Sequence, residues 1–414
     1  MEILEIANII KDNGGRLYLV GGAVRDELIG RTVKDEDYCV TGLSEVEFTN
    51  LFPDAIVRGK SFAVFDINKK EFALARKERK IGTGHKQFEI TTGKDITIEE
   101  DLGRRDITIN SIAKDVITGK IIDPYNGRKD INNKIIKATS IAFMEDPLRV
   151  YRVARFASEL AFKVDETTLH LMHIQKSELE TLSKERIFEE FKKALQTDKP
   201  SIFFNVLKEA NVLDVHFKEI YKLIGAIQPV KYHPEGDSYN HTMQTVDNCC
   251  IHTKKLEIRF AALVHDLGKG LTPKEMYPHH YAHDKLGPGP VRELSKRIGI
   301  PNSWRNCGVI AAKEHMVAGI FFKMTPAKQV ALMERVDKSI LALQGLQIVV
   351  NADRTRAGET EKPKQFVDIA KKCVKEINGN YIIQKYGTMD GTKIKGRLHE
   401  ERVNWMKNHL KNIE

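Results

Sequence analysis

The sequence predicts an α+β protein, with a mixed sheet and flanking helices over residues 1–138 and an all-α remainder. Two patterns predict it. Apolar runs of strand length recur at Leu17–Val20, Ala63–Ile67, Phe72–Ala75 and Ile121–Ile122, with helical stretches between some of them. Beyond Asp146 the apolar spacing turns helical, first at Leu148, Tyr151, Ala154 and Ala157, then at Ile187, Phe191 and Leu195. A break near Ile227-Gln228-Pro229 opens a histidine-rich segment, and from about Ala357 the chain is basic and helical with glycine interruptions.

The first strand runs into Gly21-Gly22 and then the helical pattern Ala23 to Ile29. Free N–H groups and the dipole at that helix start favour a phosphate beside Gly22 and Arg25. Asp35 and Asp37 follow at i and i+2, which on a strand project from one face. Such a pair suits Mg²⁺, which binds through one or two carboxylates and substrate phosphates. In nucleotidyl transfer one ion clamps the triphosphate and a second activates the attacking 3′-hydroxyl. Glu71, opening the run Phe72–Ala75, is a candidate third carboxylate.

Arg105 and Asp106 offer a planar fork for phosphate and an acceptor for a ribose hydroxyl. On composition alone the same residues read slightly better as a surface ion pair. In Glu145-Asp146-Pro147-Leu148-Arg149-Val150-Tyr151-Arg152, Asp146 suits a helix cap and Pro147 the first helical position. Asp146, Arg149 and Arg152 fall at i, i+3 and i+6, on one stripe. A carboxylate beside a guanidinium matches the amino donor and ring-nitrogen acceptor that cytosine and adenine share, and mismatches guanine and uracil. The spacing therefore predicts base selection by Asp146 and Arg149 without a template.

Val264-His265-Asp266-Leu267-Gly268-Lys269, with His241 upstream, suits a hydrolytic metal centre. Imidazole and carboxylate accept Mn, Ni, Fe or Zn, so ligand types leave the metal open. His279, His280, His283 and His315 are further candidates for ligation or phosphate contact.

Composition narrows the setting. The chain of 414 residues is 41% hydrophobic and 30% charged, a globular balance. No run approaches the length of a membrane helix, and the acidic start Met1-Glu2-Ile3-Leu4-Glu5 is unlike a secretion signal. Five cysteines, two of them adjacent at Cys249-Cys250, argue against a disulfide framework and for a reducing cytoplasm. A net charge of +9, spread along the chain, favours a polyanionic partner.

Together the blocks at 19–26 (Leu-Val-Gly-Gly-Ala-Val-Arg-Asp), 33–37, 73–80, 104–110, 122–127, 145–156 and 265–273 resemble the class II tRNA nucleotidyltransferases. These are the CCA-adding enzymes, and the likeness is to the bacterial form with a fused HD phosphohydrolase domain. It runs over nearly the whole chain. The resemblance implies a polymerase-β-like head at 1–138, a helical neck and body at 139–226, an HD domain at 227–350 and a helical, tRNA-binding tail at 351–414. It implies stepwise addition of C, C and A to tRNA from CTP and ATP, by a monomer or homodimer with no membrane attachment. Asp35 and Asp37 would bind Mg²⁺, while Gly22, Arg25, Arg105, Asp106, Asp146, Arg149 and Arg152 hold the nucleotide. His241, His265 and Asp266 would hold a transition metal, Ni²⁺ or Mn²⁺, for phosphatase, 2′,3′-cyclic phosphodiesterase or 2′-nucleotidase chemistry. Asp353 is a weaker candidate for the last HD aspartate. A poly(A) polymerase and a CC- or A-adding specialist share the head motifs and remain alternatives. The element switching the site from C to A is expected between Ile81 and Thr97, with Gly82 and Gly84 as hinges. Gly103, where relatives often carry a basic residue, and the longer segment after His283 depart from the pattern.

Overall fold

The computed structural model describes residues 1–58, 63–80, 88–337, 339–354 and 366–410. The expected hinges Gly82 and Gly84 lie outside them. The chain forms two compact units, Met1–Ala194 with Ile202–Val215, and Leu195–Ser201 with His216–Glu414.

In the first unit the elements run α1 (Ile3–Asp12), β1 (Arg16–Val20), α2 (Gly22–Ile29), β2 (Asp37–Thr41), α3 (Glu45–Leu51), β3 (Ile56–Arg58), β4 (Val64–Ile67) and β5 (Lys70–Leu74). There follow β6 (Arg76–Lys80), β7 (Phe88–Thr92), α4 (Ile98–Gly103), β8 (Ala113–Asp115), β9 (Ile121–Ile122), α5 (Gly127–Asn133) and α6 (Leu148–Leu160). Among the described residues, seven strands make a mixed sheet in the order β3-β4-β5-β2-β1-β8-β9, and β6 and β7 pair separately. The strands predicted from the apolar runs are all present.

Alternation along each strand divides the core. Leu17, Tyr38, Val40, Phe65, Ile67, Phe72 and Leu74 pack on one face with Ile6 and Ile10 of α1 and Phe48 of α3. Tyr18, Val20, Cys39 and Ala113 face the other way, against Ile98 and Leu102 of α4. Ser44 and Thr97 start α3 and α4 with reciprocal capping boxes to Glu47 and Glu100, which fixes how both helices enter their faces.

Two expectations shift. Asp35 and Asp37 do not share a strand: β2 starts at Asp37, paired with Val20, and Asp35 lies in the segment before it. The cause is that β1 ends at Val20, where the chain turns at Gly21, so residues before Asp37 have no ladder partner there. Pro147, rather than Asp146, occupies the cap position of α6, but the Asp146 carboxylate still accepts from Leu148 N at 3.0 Å.

The second unit is helical. Leu256–Val264 packs on Asn302–Gly319, and Ser238–His252 packs on Ala342–Arg354. Its core draws on Ala261, Ala311, Met333, Leu346, Val349, Phe366 and Met406. All five cysteines of the chain are buried thiols. No helix among the described residues is long and apolar enough to cross a membrane.

Candidate active sites

At the sheet end where β1 turns into α2, a cleft of about 720 Å³ opens in the first unit. Gly22, Arg25, Asp35, Asp37, Arg105, Asp106, Asp146, Arg149 and Arg152 all line it. Residues up to 130 positions apart in the sequence thus meet on one wall or another of a single cavity.

Local structure explains each placement. Gly21 turns with φ +73°, and a Cβ built there would lie 3.0 Å from Arg105 Nη1, so glycine alone lets that guanidinium approach the start of α2. The parallel pairing of β2 with β5 sets Asp37 directly beside Glu71. In-register neighbours project to the same side, so Glu71, a candidate third carboxylate, is carried into the cleft with Asp37. Desolvation by the cleft walls raises the Asp37 carboxyl above the usual range although water still reaches it; Arg105 opposes this shift and the charge of Asp35 adds to it. A carboxylate held at such a cost, with a second one near it, fits a site built for a cation.

The arginines are pre-set by buried acids. Asp101, 1% exposed, accepts from Arg104 Nη2 at 2.6 Å and Arg105 Nη2 at 3.1 Å. Arg25 donates through Nη1 to Asn110 at 2.7 Å and through Nε and Nη2 to Asp26. Asn110 donates in turn to Asp106 Oδ1 at 3.2 Å, and Arg152 Nε reaches Asp106 Oδ2 at 2.8 Å. Burial would raise the Asp106 carboxyl, but Arg152 and Arg149 overcome it and hold the group down to about 2. Asp106 therefore sits as an anionic hub whose two oxygens are engaged by protein donors. That geometry suits orienting Arg152 better than accepting from a ribose hydroxyl. Arg25, Arg152 and Arg155 all lie over the Phe156 ring, at 5.3, 5.4 and 3.7 Å from its centroid.

Asp146 and Arg149 both face the cleft, but Asp146 Oδ2 accepts from Arg186 at 2.7 Å, while Arg149 Nη1 donates to Ala142 O at 2.7 Å. Sequence reading missed Arg186, Asp101 and Asn110. Asn110 closes the block Arg-Arg-Asp-Ile-Thr-Ile-Asn and was open to notice; Arg186 arrives from a separate helix with no local signal.

The second unit holds a different centre. His241 Nε2 lies 2.8 Å from Asp353 Oδ1, and His265 Nε2 lies 3.4 Å from the same oxygen and 3.3 Å from Asp266 Oδ2. The other Asp266 oxygen faces His283 Nε2 at 3.4 Å and His315 Nε2 at 3.3 Å. The structure thus joins Asp353, His283 and His315 to the trio singled out in the sequence. Gly268 makes this packing possible, since a Cβ there would fall 2.0 Å from His283 O.

Each imidazole but one is anchored through Nδ1 to a backbone carbonyl: His265 to Ala262, His283 to His280 and His315 to Ala311. Their Nε2 atoms are thereby turned inward. His265 Nε2, His283 Nε2 and Asp266 Oδ1 are buried without a hydrogen bond, while Asp266 Oδ2 is met by the Lys269 ammonium at 2.5 Å. Burial works against a charged His265, yet Asp266 and Asp353 push its pKa up to about 10. Buried imidazole nitrogens and carboxylate oxygens gathered within 4.8 Å of one another are of the kind that can hold a divalent metal.

Comparison with known proteins supplies relatives over most of the chain. Residues 17–137 match the family described as Poly A polymerase head domain, residues 161–223 the Probable RNA and SrmB- binding site of polymerase A, and residues 238–373 the HD domain. The chain is 41% identical over 401 residues to the Multifunctional CCA protein of Pseudoalteromonas atlantica, covering 94% of this chain and 98% of that one. It is 40% identical to the protein of the same name from Shewanella denitrificans, over 94% and 96% of the two chains. Among solved structures, a CCA-adding enzyme with ATP superposes with a TM-score of 0.65 at 19% identity, over 98% of this chain and 90% of that one. The Thermotoga maritima CCA-adding enzyme complexed with tRNA gives 0.64 at 17% identity, over 96% and 89%. These structures share the fold of the present chain.

Proposed function

Because this chain belongs to the family of multifunctional CCA proteins, we propose that the cleft of its first unit is the site where C, C and A are added to the 3′ end of tRNA. The single observation that carries this assignment is the meeting of all nine residues selected for that chemistry in one cavity. CTP and ATP are the nucleotides and pyrophosphate the leaving product. A multifunctional CCA protein is an enzyme of two metal-dependent parts, a nucleotidyltransferase and an HD domain, and both are present.

Asp35 and Asp37 are the residues that would hold Mg²⁺, with Glu71 beside them. The ion would neutralise the triphosphate and acidify the attacking 3′-hydroxyl. The protein's own share is positioning and charge. The free N–H groups at the start of α2, beginning with Gly22, receive phosphate oxygens. Arg25 and Arg105 hold the phosphate chain, each with its fork fixed by a neighbouring acid but not all five donors used. Arg152, locked on Asp106, lines the same cleft and adds a further guanidinium. Asp146 and Arg149 present an acceptor and donors to the base, and Arg186 fixes the Asp146 carboxylate for that purpose.

In the second unit His241, His265, Asp266 and Asp353 would hold a transition metal; the mixed nitrogen and oxygen set accepts Mn, Ni, Fe or Zn, and the family resemblance points to Ni²⁺ or Mn²⁺. Such an ion supplies Lewis acidity and an activated water for phosphomonoester or 2′,3′-cyclic phosphate hydrolysis. The proposed division is a head at 1–138, neck and body at 139–226, HD domain at 227–350 and tRNA-binding tail at 351–414; its second segment crosses the boundary of the two compact units, and Asp353 extends the HD centre past residue 350. A reducing cytoplasm suits its five buried thiols.

The test is extension of a tRNA that lacks its terminus, resolved nucleotide by nucleotide. CTP alone should add two residues, and CTP with ATP should add three. Homopolymeric A tails would favour a poly(A) polymerase, and arrest after CC with both nucleotides present would favour a CC-adding specialist.

A further inference from the structure

His241 differs from the other histidines of the second centre in how its outer nitrogen is held. His265, His283 and His315 donate Nδ1–H to backbone carbonyls, which are neutral acceptors. His241 Nδ1 instead faces a carboxylate oxygen, Glu235 Oε1, at 2.7 Å. His233 Nδ1 faces the same oxygen at 2.9 Å, and its ring stands edge-on to that of His241 with centroids 4.8 Å apart. Glu235 is only 8% exposed in its side chain and lies in the turn just before Asp237, which caps the helix Ser238–His252. On the other side of the ring, His241 Nε2 meets Asp353 at 2.8 Å and Asp266 at 3.7 Å. Glu235, His241 and the inner carboxylates thus form a line through one imidazole.

We propose that Glu235 is a positioning residue for the HD metal centre, holding His241 as the Nδ1–H tautomer so that its Nε2 lone pair is aimed at the ion, with His233 keeping the Glu235 carboxylate in register. The inference rests on the metal-centre reading above. A hydrogen-bonded carboxylate behind a ligating imidazole fixes its tautomer and orientation and increases its basicity, and loss of such a partner typically costs about 10- to 100-fold in metal affinity. The other three imidazoles have a carbonyl in that place, so Glu235 is the charged outer partner among them. Geometry also offers a rival role: His233, Glu235 and His241 place three ligand atoms within 4.8 Å of one another, which would let Glu235 bind an ion itself. The shared Oε1, already flanked by two imidazole nitrogens, favours the acceptor role.

The experiment titrates the metal-stripped full-length protein with Ni²⁺ calorimetrically and compares Glu235→Ala, Glu235→Gln and His265→Ala. The proposal expects Glu235→Ala to bind the same number of ions about 10- to 100-fold more weakly. Glu235→Gln, which keeps an acceptor oxygen without the charge, should recover part of that loss. CCA addition should stay at the wild-type rate in both, since the cleft of the first unit contains neither Glu235 nor His241. Unchanged Ni²⁺ affinity in Glu235→Ala, while His265→Ala abolishes binding, would overturn the role of Glu235 alone. Loss of one bound ion at saturation in Glu235→Ala would make Glu235 a ligand and also overturn it. Binding that survives His265→Ala intact would overturn the metal-centre reading itself.

Discussion

Asp106 shows how a single side chain organises the cleft of the first unit. It is 6% exposed, it anchors Arg152, and through Asn110 it is linked to Arg25. Asp106→Asn removes the charge and leaves Arg152 without its counter-ion, so stability should fall by about 3 kcal/mol and nucleotide incorporation should fall with it; denaturant titration and a CTP incorporation assay read the two. The pH dependence has a definite sign. The folded-state pKa, about 2, lies below the ordinary carboxylate value of 3.8, so the stabilisation is complete above about pH 4 and is lost as pH falls through 2. The shift corresponds to about 2 kcal/mol, and the stability gap between wild type and Asp106→Asn should narrow by that amount between pH 4 and pH 2. A gap independent of pH would show that Asp106 acts through packing.

At the same scale, the metal role proposed for Asp35 and Asp37 requires that they serve chemistry more than docking. Asp37→Ala should lower CCA addition by at least about 1,000-fold, the loss of several kcal/mol of charge stabilisation, while tRNA affinity in a filter-binding titration stays within a few-fold. Equal loss of both would mean that the pair holds RNA.

Among the elements, α3 carries the packing that keeps β4 and β5 in place. Phe48 is fully buried, with its ring centroid 4.9 Å from Phe52, 4.6 Å from Phe65 and 6.4 Å from Phe72. Phe48→Ala should destabilise the protein by about 3–5 kcal/mol, measured by chemical denaturation. The consequence reaches the site, because β5 carries Glu71 beside Asp37. The helix Ala342–Arg354 has the corresponding role in the second unit, since it delivers Asp353 to His241 and His265. His265→Ala should abolish hydrolysis of 2′,3′-cyclic AMP while CCA addition proceeds at the wild-type rate; joint loss would show that the two chemistries share a site.

Over the whole molecule, what the sequence made legible was local. The strand, glycine turn and helix at Leu17–Ile29 and the apolar runs of the sheet follow from periodicity and turn chemistry, and the structure contains each of them. His265-Asp266 was legible because adjacent chemistry-bearing residues stand out in an apolar helix. Non-local pairings were not legible from spacing: Asp353 was a weak candidate reached through the family resemblance, and Arg186 was not reached at all. The distance of 112 positions between His241 and Asp353, and of 40 between Asp146 and Arg186, is bridged only by the packing of helices, which no spacing rule encodes. Asp35 was misplaced onto a strand for a related reason, since a strand begins where its neighbour offers a ladder, and the end of β1 fixed that point.

The central claim is that Asp35 and Asp37 grip a divalent cation at the triphosphate of the incoming nucleotide. A crystal soaked with Mn²⁺ and a non-hydrolysable CTP analogue, with anomalous data collected at the manganese edge, tests it most directly. The account predicts a peak ligated by both carboxylates and by phosphate oxygens in the cleft. Manganese in the second unit alone, with the nucleotide bound and both aspartates unligated, would contradict it.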